Sequence, residues 1–247
     1  MLTLKKLKNK LLKKYFLPFP FLCRHIEYSI IASADDDIAV NPSHRLLDIS
    51  VKAIQHAQTV DLSDITKRMG EPPYYLDIWP GEHYRLLAGF IKTIKPKLVI
   101  EIGTATGLSA LALLKFLPSN SRLITFDIIP WQTIPEAVLK EEDFKDGCLE
   151  QRLGNLADPN IFSNNKNILE KADLIFCDGP KDCIFEQSFL DNMDKLNFAN
   201  SPLLILDDIK VWNMLKIWRN IKKPKLDLSS FGHWTGTGLV DLEPITK

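Results

Sequence analysis

Short apolar runs alternate with helix-length segments from Lys97 onward, and this rhythm limits the chain to very few folds. The runs are Leu98–Ile102, Leu123–Phe126, Leu149–Leu153, Leu174–Cys177 and Leu203–Leu206, and the segments between them lie at about 107–117, 134–144, 158–170 and 182–197. Strands separated by helices are joined by right-handed crossovers, which produce a mostly parallel sheet covered on both faces. The pattern therefore predicts a doubly wound α/β domain.

The last part of the chain departs from this rhythm. After a predicted helix near 211–221, two strand-like runs at Lys225–Phe231 and Gly238–Leu242 are joined by a glycine-rich loop. A short connection can join only antiparallel strands. We therefore expect a seven-stranded, mostly parallel sheet with a C-terminal antiparallel hairpin, all within residues 96–247.

Two further regions precede the sheet. Residues 41–95 contain two predicted helices, at 43–60 and 82–94, and form a helical N-terminal cap or substrate region. Residues 1–40 form a basic arm, and its first 25 residues carry seven basic side chains and no acid. Leucines recur there at helical spacing. The arm can be a solvated extension, a weak contact for a membrane surface or a cover over the active site.

Net charge, cysteine spacing and the length of the apolar runs argue against several classes of protein. Lys+Arg and Asp+Glu both total 31, so the net charge gives no sign of a nucleic-acid partner. The four cysteines form no C-x-x-C pair or zinc-type spacing, and no apolar run approaches the roughly 20 residues that span a bilayer. A cytoplasmic enzyme is the expectation, and the oligomeric state stays open, with a homodimer among the options.

Acids and glycines follow nearly every apolar run. In open α/β sheets, ligands bind outside the carboxyl ends of the strands. Like charges gathered along one edge repel one another, so function explains them better than folding does. The residues at this predicted edge are Glu101, Gly103, Asp127, Gly154, Asn155, Asp178, Gly179, Asp207 and Asp208.

The turn after the first run, Glu101–Ser109, carries two glycines that let the backbone approach a ligand closely. A dinucleotide fingerprint would need glycine at three places, which here hold Gly103, Ala105 and Leu108. The turn therefore argues against a nicotinamide oxidoreductase. Asp127, at the end of the second run, can accept both hydroxyls of a ribose.

The acids after the fourth and fifth runs predict a second site. Neighbouring strands lie about 4.8 Å apart, so Asp178 and the Asp207–Asp208 pair can share one divalent ion such as Mg²⁺ or Ca²⁺. Lys181 lies one turn past Asp178, close enough to act on a substrate proton. Alternatively, Lys181 neutralises the carboxylates without any metal.

Taken together, these motifs resemble the cation-dependent catechol and caffeoyl-CoA O-methyltransferases. The likeness consists of Glu-Ile-Gly-Thr-x-Thr-Gly-x-Ser, an acid ending the second strand, Asp-x-x-Lys after the fourth and an acidic pair after the fifth, and it extends from about Gly81 to Trp212. It implies the Rossmann-like class I methyltransferase fold and S-adenosylmethionine as cofactor.

The resemblance also implies a role for each matching residue. Glu101 and Ser109 would hold the methionine end of S-adenosylmethionine, and Gly103 would give backbone access. Asp127 would bind the ribose, and Asn155 falls, by a looser match, in the adenine-contacting segment. Asp178, which also borders the cofactor, would bind the metal together with Asp207 and Asp208. Lys181 would be the general base.

Two departures leave the acceptor undefined beyond a small-molecule hydroxyl. Position 208 is commonly Asn in that family and is Asp here, and the loop Gly232–Gly236 has no counterpart that we can place. The expected reaction is methyl transfer to a hydroxyl oxygen, with Mg²⁺ lowering the pKa of that hydroxyl. Lys181 would take the proton, which requires its own pKa to be depressed.

Two rivals remain. In a metal-independent methyltransferase acting on a sugar or natural product, His83 or His233 would be the base. A non-catalytic scaffold of the same fold would not need to bind S-adenosylmethionine.

Overall fold

One seven-stranded sheet organises the computed structural model, which describes residues 41–72, 74–211 and 214–242. The strand order is β3-β2-β1-β4-β5-β7-β6, and β7 runs antiparallel to both of its neighbours. The predicted doubly wound sheet with an antiparallel C-terminal pair is confirmed. The strands are β1 Leu98–Ile102, β2 Arg122–Asp127, β3 Leu149–Leu153, β4 Leu174–Cys177, β5 Leu203–Asp207, β6 Lys225–Asp227 and β7 Thr237–Asp241.

Helices cover both faces of the sheet. Successive strand residues point to opposite faces, so Val99 belongs to one apolar cluster and Ile100 to the other. The first cluster includes residues of α1, α3 and α4, and the second includes residues of α5, α6 and α7. The helices are α1 His44–Thr59, α2 Ser63–Thr66, α3 Tyr84–Ile94, α4 Leu108–Leu114, α5 Pro159–Leu169, α6 Ile184–Met193 and α7 Met214–Asn220.

The helix predicted at 134–144 is wrong. One short 3₁₀ turn, Trp131–Thr133, precedes this segment and another, Glu141–Phe144, ends it, and the rings of Trp131 and Phe144 stack with centroids 5.4 Å apart. In a helix the Val138 amide would bond to residue 134, but here it donates to the Thr106 carbonyl at 2.9 Å. A contact with the loop after β1 therefore replaces the local helical bond.

The predicted strand Lys225–Phe231 is too long, since β6 ends at Asp227. The Asp227 carboxylate accepts the Ser229 amide at 2.9 Å and turns the chain away from the sheet.

The first described helix is tied to the last described strand. Asp241, which is 2% exposed, accepts hydrogen bonds from the Ser43 hydroxyl at 2.7 Å and the Arg45 guanidinium at 2.6 Å. The predicted basic arm, residues 1–40, lies outside the described residues. Within the described ranges, the helices are too short or too polar to cross a membrane.

Strand register brings the predicted site residues to one edge. Ile102 pairs with Cys177 and Cys177 pairs with Leu206, so Gly103, Asp178 and Asp207 all follow at the carboxyl edge. Thr237 of β7 lies opposite Asp207, because β7 begins where the antiparallel β5 ends. The loop that precedes β7 therefore reaches the same edge.

Candidate active site

The loop between β1 and α4 follows a path that demands glycine at two positions. Gly103 has φ +96°, and a Cβ there would collide with the Asp178 carbonyl group. Gly107 has φ +88°, and a Cβ there would collide with the Leu139 side chain. The loop is thus held between the end of β4 and the irregular segment after β2.

Glu101 and Ser109 lie buried beside this loop. Glu101 is 0% exposed, and neither carboxylate oxygen has a hydrogen-bond partner among the described residues. Burial raises the pKa of Glu101 to about 7, the neighbouring hydroxyls of Ser109 and Thr125 partly oppose this rise, and the negative charge of Asp178 adds to it. A buried carboxylate without a partner is costly, and a cationic group of a ligand would compensate it.

Asp127 and Asn155 follow the neighbouring strands β2 and β3. The Asp127 carboxylate accepts the amides of Ala105 at 3.0 Å, Ile128 at 2.7 Å and Ile129 at 3.1 Å. Asn155 is exposed, and its side-chain oxygen accepts the Ala157 amide at 2.8 Å. Both side chains fix their own loops, and Asp127 is also connected to the loop after β1.

The three predicted metal ligands converge. Asp178, Asp207 and Asp208 each offer an oxygen within 4.8 Å of the other two. The Lys181 ammonium pairs with Asp178 and, at 3.1 Å, with Asp208, and it also donates to the Gly179 carbonyl at 3.0 Å. Because the carboxylates meet at one point, they form a set of hard oxygen donors that suits a divalent cation.

Lys181 does not have the depressed pKa that a general base needs. Burial acts against its charge, but the carboxylates of Asp178 and Asp208 outweigh burial and hold the pKa of Lys181 above its ordinary value. In this arrangement the side chain is an ammonium group that neutralises its neighbours. The depressed pKa that the role of general base requires is therefore not present in this arrangement.

Two histidines meet at Asp207. His83, just before α3, places Nδ1 3.2 Å from Asp207 Oδ1. His233, from the glycine-rich loop, places Nδ1 3.2 Å from Asp207 Oδ2 and 3.3 Å from Asp208 Oδ1. Thr235 Oγ1 lies 2.9 Å from His233 Nδ1. Asp207, at 2% exposure, is therefore surrounded by imidazole nitrogens.

These contacts alter the acidity of all three groups. Burial opposes ionisation of Asp207, yet the two histidines outweigh burial and hold the pKa of its carboxyl well below the usual range. Burial likewise opposes protonation of His233, but Asp207 and Asp208 raise the pKa of its imidazole to about 10. The pKa of His83 is also raised, because Asp207 outweighs burial.

Sequence reasoning named both histidines only as bases in a metal-free rival and missed their convergence. A signal was present in the predicted hairpin. A strand that pairs antiparallel with β5 must begin at the carboxyl edge, so the loop before it had to reach Asp207. His83 carried no comparable signal, because its position depends on how α3 packs against the sheet.

Comparison with known proteins agrees with the motifs. The family model described as O-methyltransferase matches residues 49–195. The catechol O-methyltransferase of Mus musculus is 25% identical over 178 residues, which are 67% of this chain and 66% of that protein, just under two thirds of its length. A candidate caffeoyl-CoA O-methyltransferase from Staphylococcus aureus has 16% identity and a TM-score of 0.50, over 79% of this chain and 99% of that one, a likeness of fold alone.

The matched residues run from α1 through the glycine loop and Asp127 to Lys181, so they include most of the edge described above. Asp207, Asp208 and His233 lie beyond the match. Since the match covers well over half of the sequence, the chain belongs to the O-methyltransferase family.

Proposed function

We propose that this protein transfers the methyl group of S-adenosylmethionine to a hydroxyl oxygen of a small molecule. The observation that carries the proposal is Glu101, fully buried beside the glycine loop with both oxygens lacking a hydrogen-bond partner in the described structure. A bound ammonium group, such as that of an amino acid moiety, would favour the ionised form of this carboxylate and pair with it. Family membership supports the same cofactor.

Other edge residues would hold the rest of the cofactor. The Asp127 carboxylate accepts hydrogen bonds from three loop amides. A carboxylate has about four acceptor positions, and Asp127 is half-exposed, so it can accept a further hydrogen bond. It would bind the ribose, Ser109 would help to hold the methionine end, and Asn155 would border the adenine. When bound, S-adenosylmethionine supplies an electrophilic methyl group, and the protein's own task is alignment of the acceptor.

A divalent cation is the second part of the proposal. Asp178, Asp207 and Asp208 have the donor chemistry and the spacing to hold one, and their combined charge exceeds what Lys181 neutralises. Such an ion supplies Lewis acidity to an acceptor hydroxyl. Lys181 remains the proposed proton acceptor, because a cation on the same carboxylates would offset the charge that raises the pKa of Lys181, and His233 is the alternative.

A metal-independent methyltransferase is the competing candidate, favoured by one observation. Lys181, His83 and His233 lie within ion-pair distance of the three carboxylates and can neutralise them. Once an acceptor is identified, full activity in excess EDTA would decide for this candidate. Loss of activity that returns on adding a divalent ion would decide against it.

The acceptor would bind between the N-terminal helical region and the loop before β7. The exposed indole rings of Trp79 and Trp234 lie four residues and one residue from the two histidines along the chain. The Trp234 ring lies 5.4 Å from the His233 ring and offers apolar surface at this edge, so we expect an acceptor with an aromatic or aliphatic body beside its hydroxyl.

Calorimetric titration with S-adenosylhomocysteine tests the cofactor. Asp127→Ala should weaken binding about tenfold or more, because each charge-assisted bond to the ribose contributes about 1.5–3 kcal/mol. Asp191→Ala is the matched control, since that exposed Asp lies on α6 and pairs with Gln187 at 2.8 Å. Wild-type protein that ignores S-adenosylhomocysteine would overturn the proposed function, and equal affinity in Asp127→Ala would remove Asp127 from the site.

A further inference from the structure

The polar cluster at the carboxyl edge divides into two parts. Lys181 pairs with Asp178 and Asp208, whereas Asp207 faces the two histidines. His83, Asp207 and His233 each offer one ligand atom within 4.8 Å of the other two. The family resemblance supplies no role for either imidazole, so their convergence needs its own explanation.

The contacts of His83 are unlike those of an ordinary buried histidine. His83 is 3% exposed, yet neither ring nitrogen makes a hydrogen bond in the described part of the chain. Asp207 Oδ1 also lacks a hydrogen bond there, although it lies 3.2 Å from His83 Nδ1. The two atoms are therefore close without the alignment that a shared proton requires.

Atoms that share a metal ion have this relationship. Ligands about 2.0–2.2 Å from one ion are separated by about 3.0–3.5 Å at octahedral to tetrahedral angles. The imidazole nitrogens of His83 and His233 each lie 3.2 Å from one oxygen of Asp207, and that of His233 also lies 3.3 Å from Asp208 Oδ1. Once the metal displaces the protons from these ring nitrogens, both imidazoles and the carboxylate can be ligands of a single ion.

We propose that His83, Asp207 and His233 bind a divalent first-row transition ion, so that the cation of this protein has mixed nitrogen and oxygen ligands. The inference rests on the proposed function for the use of the ion but not for its presence. Imidazole suits Zn²⁺, Co²⁺, Fe²⁺ or Ni²⁺, whereas Mg²⁺ selects oxygen ligands. Asp208, whose Oδ1 is near His233, is placed to contribute a further oxygen.

Cobalt binding to the full chain is the direct test. Protein stripped with a chelator and dialysed should take up one Co²⁺ and develop a visible ligand-field band. Zn²⁺ should displace the Co²⁺, and a large excess of Mg²⁺ should not. His83→Gln and His233→Gln should each weaken Co²⁺ binding about tenfold or more, while His44→Gln, at an exposed position that begins α1, should have no effect.

A second measurement needs no variant. X-ray absorption of the Zn²⁺-loaded wild-type protein should show imidazole scattering. Absence of a Co²⁺ band, or a Zn²⁺ spectrum with oxygen ligands alone, would overturn the inference and leave the histidines as partners of Asp207. S-adenosylhomocysteine binding is measured on the same samples, so failure of the metal site and failure of the proposed function are separate results.

Discussion

Glu101 shows how a single buried charge can reveal a ligand. Its raised pKa means that ionisation costs free energy in the folded protein, whose nearest charges here include Asp178 and His83. Protonated Glu101 therefore contributes to the free energy of unfolding. This contribution is fully present below the ordinary pKa of 4.5 and is lost as the pH rises through about 7. A bound ammonium group would recover that loss.

The first prediction follows from this sign. Between about pH 4.5 and 7, the free energy of unfolding of the wild type should fall relative to that of Glu101→Gln, by up to about 3 kcal/mol. Urea unfolding of both proteins across this range measures the difference, and using the difference cancels the titration of the histidines. Identical pH dependence in the two proteins would mean that Glu101 has an ordinary pKa.

Lys181 shows what the spacing of residues along the chain cannot predict. Its position was predicted from the Asp-x-x-Lys spacing, but its acidity was not, because the pKa depends on which carboxylates lie nearest in space. Asp208 belongs to another strand and is 27 residues away along the chain. Sequence alone therefore identified the group without its state of protonation.

At the scale of elements, the loop after β1 depends on the irregular segment that packs against it. Gly107 and Gly147 both have positive φ, +88° and +73°. A Cβ at Gly107 would collide with Leu139, whereas a Cβ at Gly147 would meet nothing within 4 Å. A substitution at Gly147 therefore introduces backbone strain alone, whereas one at Gly107 adds a collision with Leu139.

Gly107→Ala should destabilise the protein by about 1–3 kcal/mol and weaken S-adenosylhomocysteine binding, because the loop must move. Gly147→Ala, the control, should lose stability through backbone strain alone and bind S-adenosylhomocysteine normally. Thermal unfolding and calorimetry measure the two effects. Equal losses in both variants would show that Leu139 moves aside without cost.

The same comparison explains which elements the sequence could predict. Buried parallel strands such as β1 and β5 are apolar except for one acid each, Glu101 and Asp207, so the local sequence is enough to predict them. The segment 134–144 has helix-like composition, but the bond from Val138 to Thr106 is a tertiary contact that no local pattern reveals. The meeting of His83 and His233 at Asp207 is missed for the same reason.

At the scale of the whole molecule, the described residues place both apolar clusters in the part of the chain from residue 41 onward. Leu46 is the first member of one cluster along the chain, and Leu98 is the first member of the other. Residues 1–14 are a lysine-rich terminal segment, and deleting them should leave a protein that unfolds cooperatively with an unchanged midpoint. Deleting residues 1–60 is the contrasting variant, since it removes α1 and its buried Leu46, Ala53 and Ala57.

Thermal unfolding of the two deletion variants decides this point. Loss of a cooperative transition in the shorter deletion would show that the first 14 residues are needed for the fold. Flotation with anionic liposomes, comparing the full chain with the shorter deletion, tests separately whether the arm contacts a membrane surface.

The position of β7 between β5 and β6 also has a consequence for synthesis on the ribosome. His233 follows His83 by 150 residues, and the loop that carries it is positioned only when β7 pairs with β5. Domains emerge N-terminus first, so the loop after β1 and Asp127 are synthesised well before the loop that carries His233. A nascent chain halted before residue 232 would carry the proposed cofactor residues while still lacking His233, so the proposed metal site would be the last to be completed.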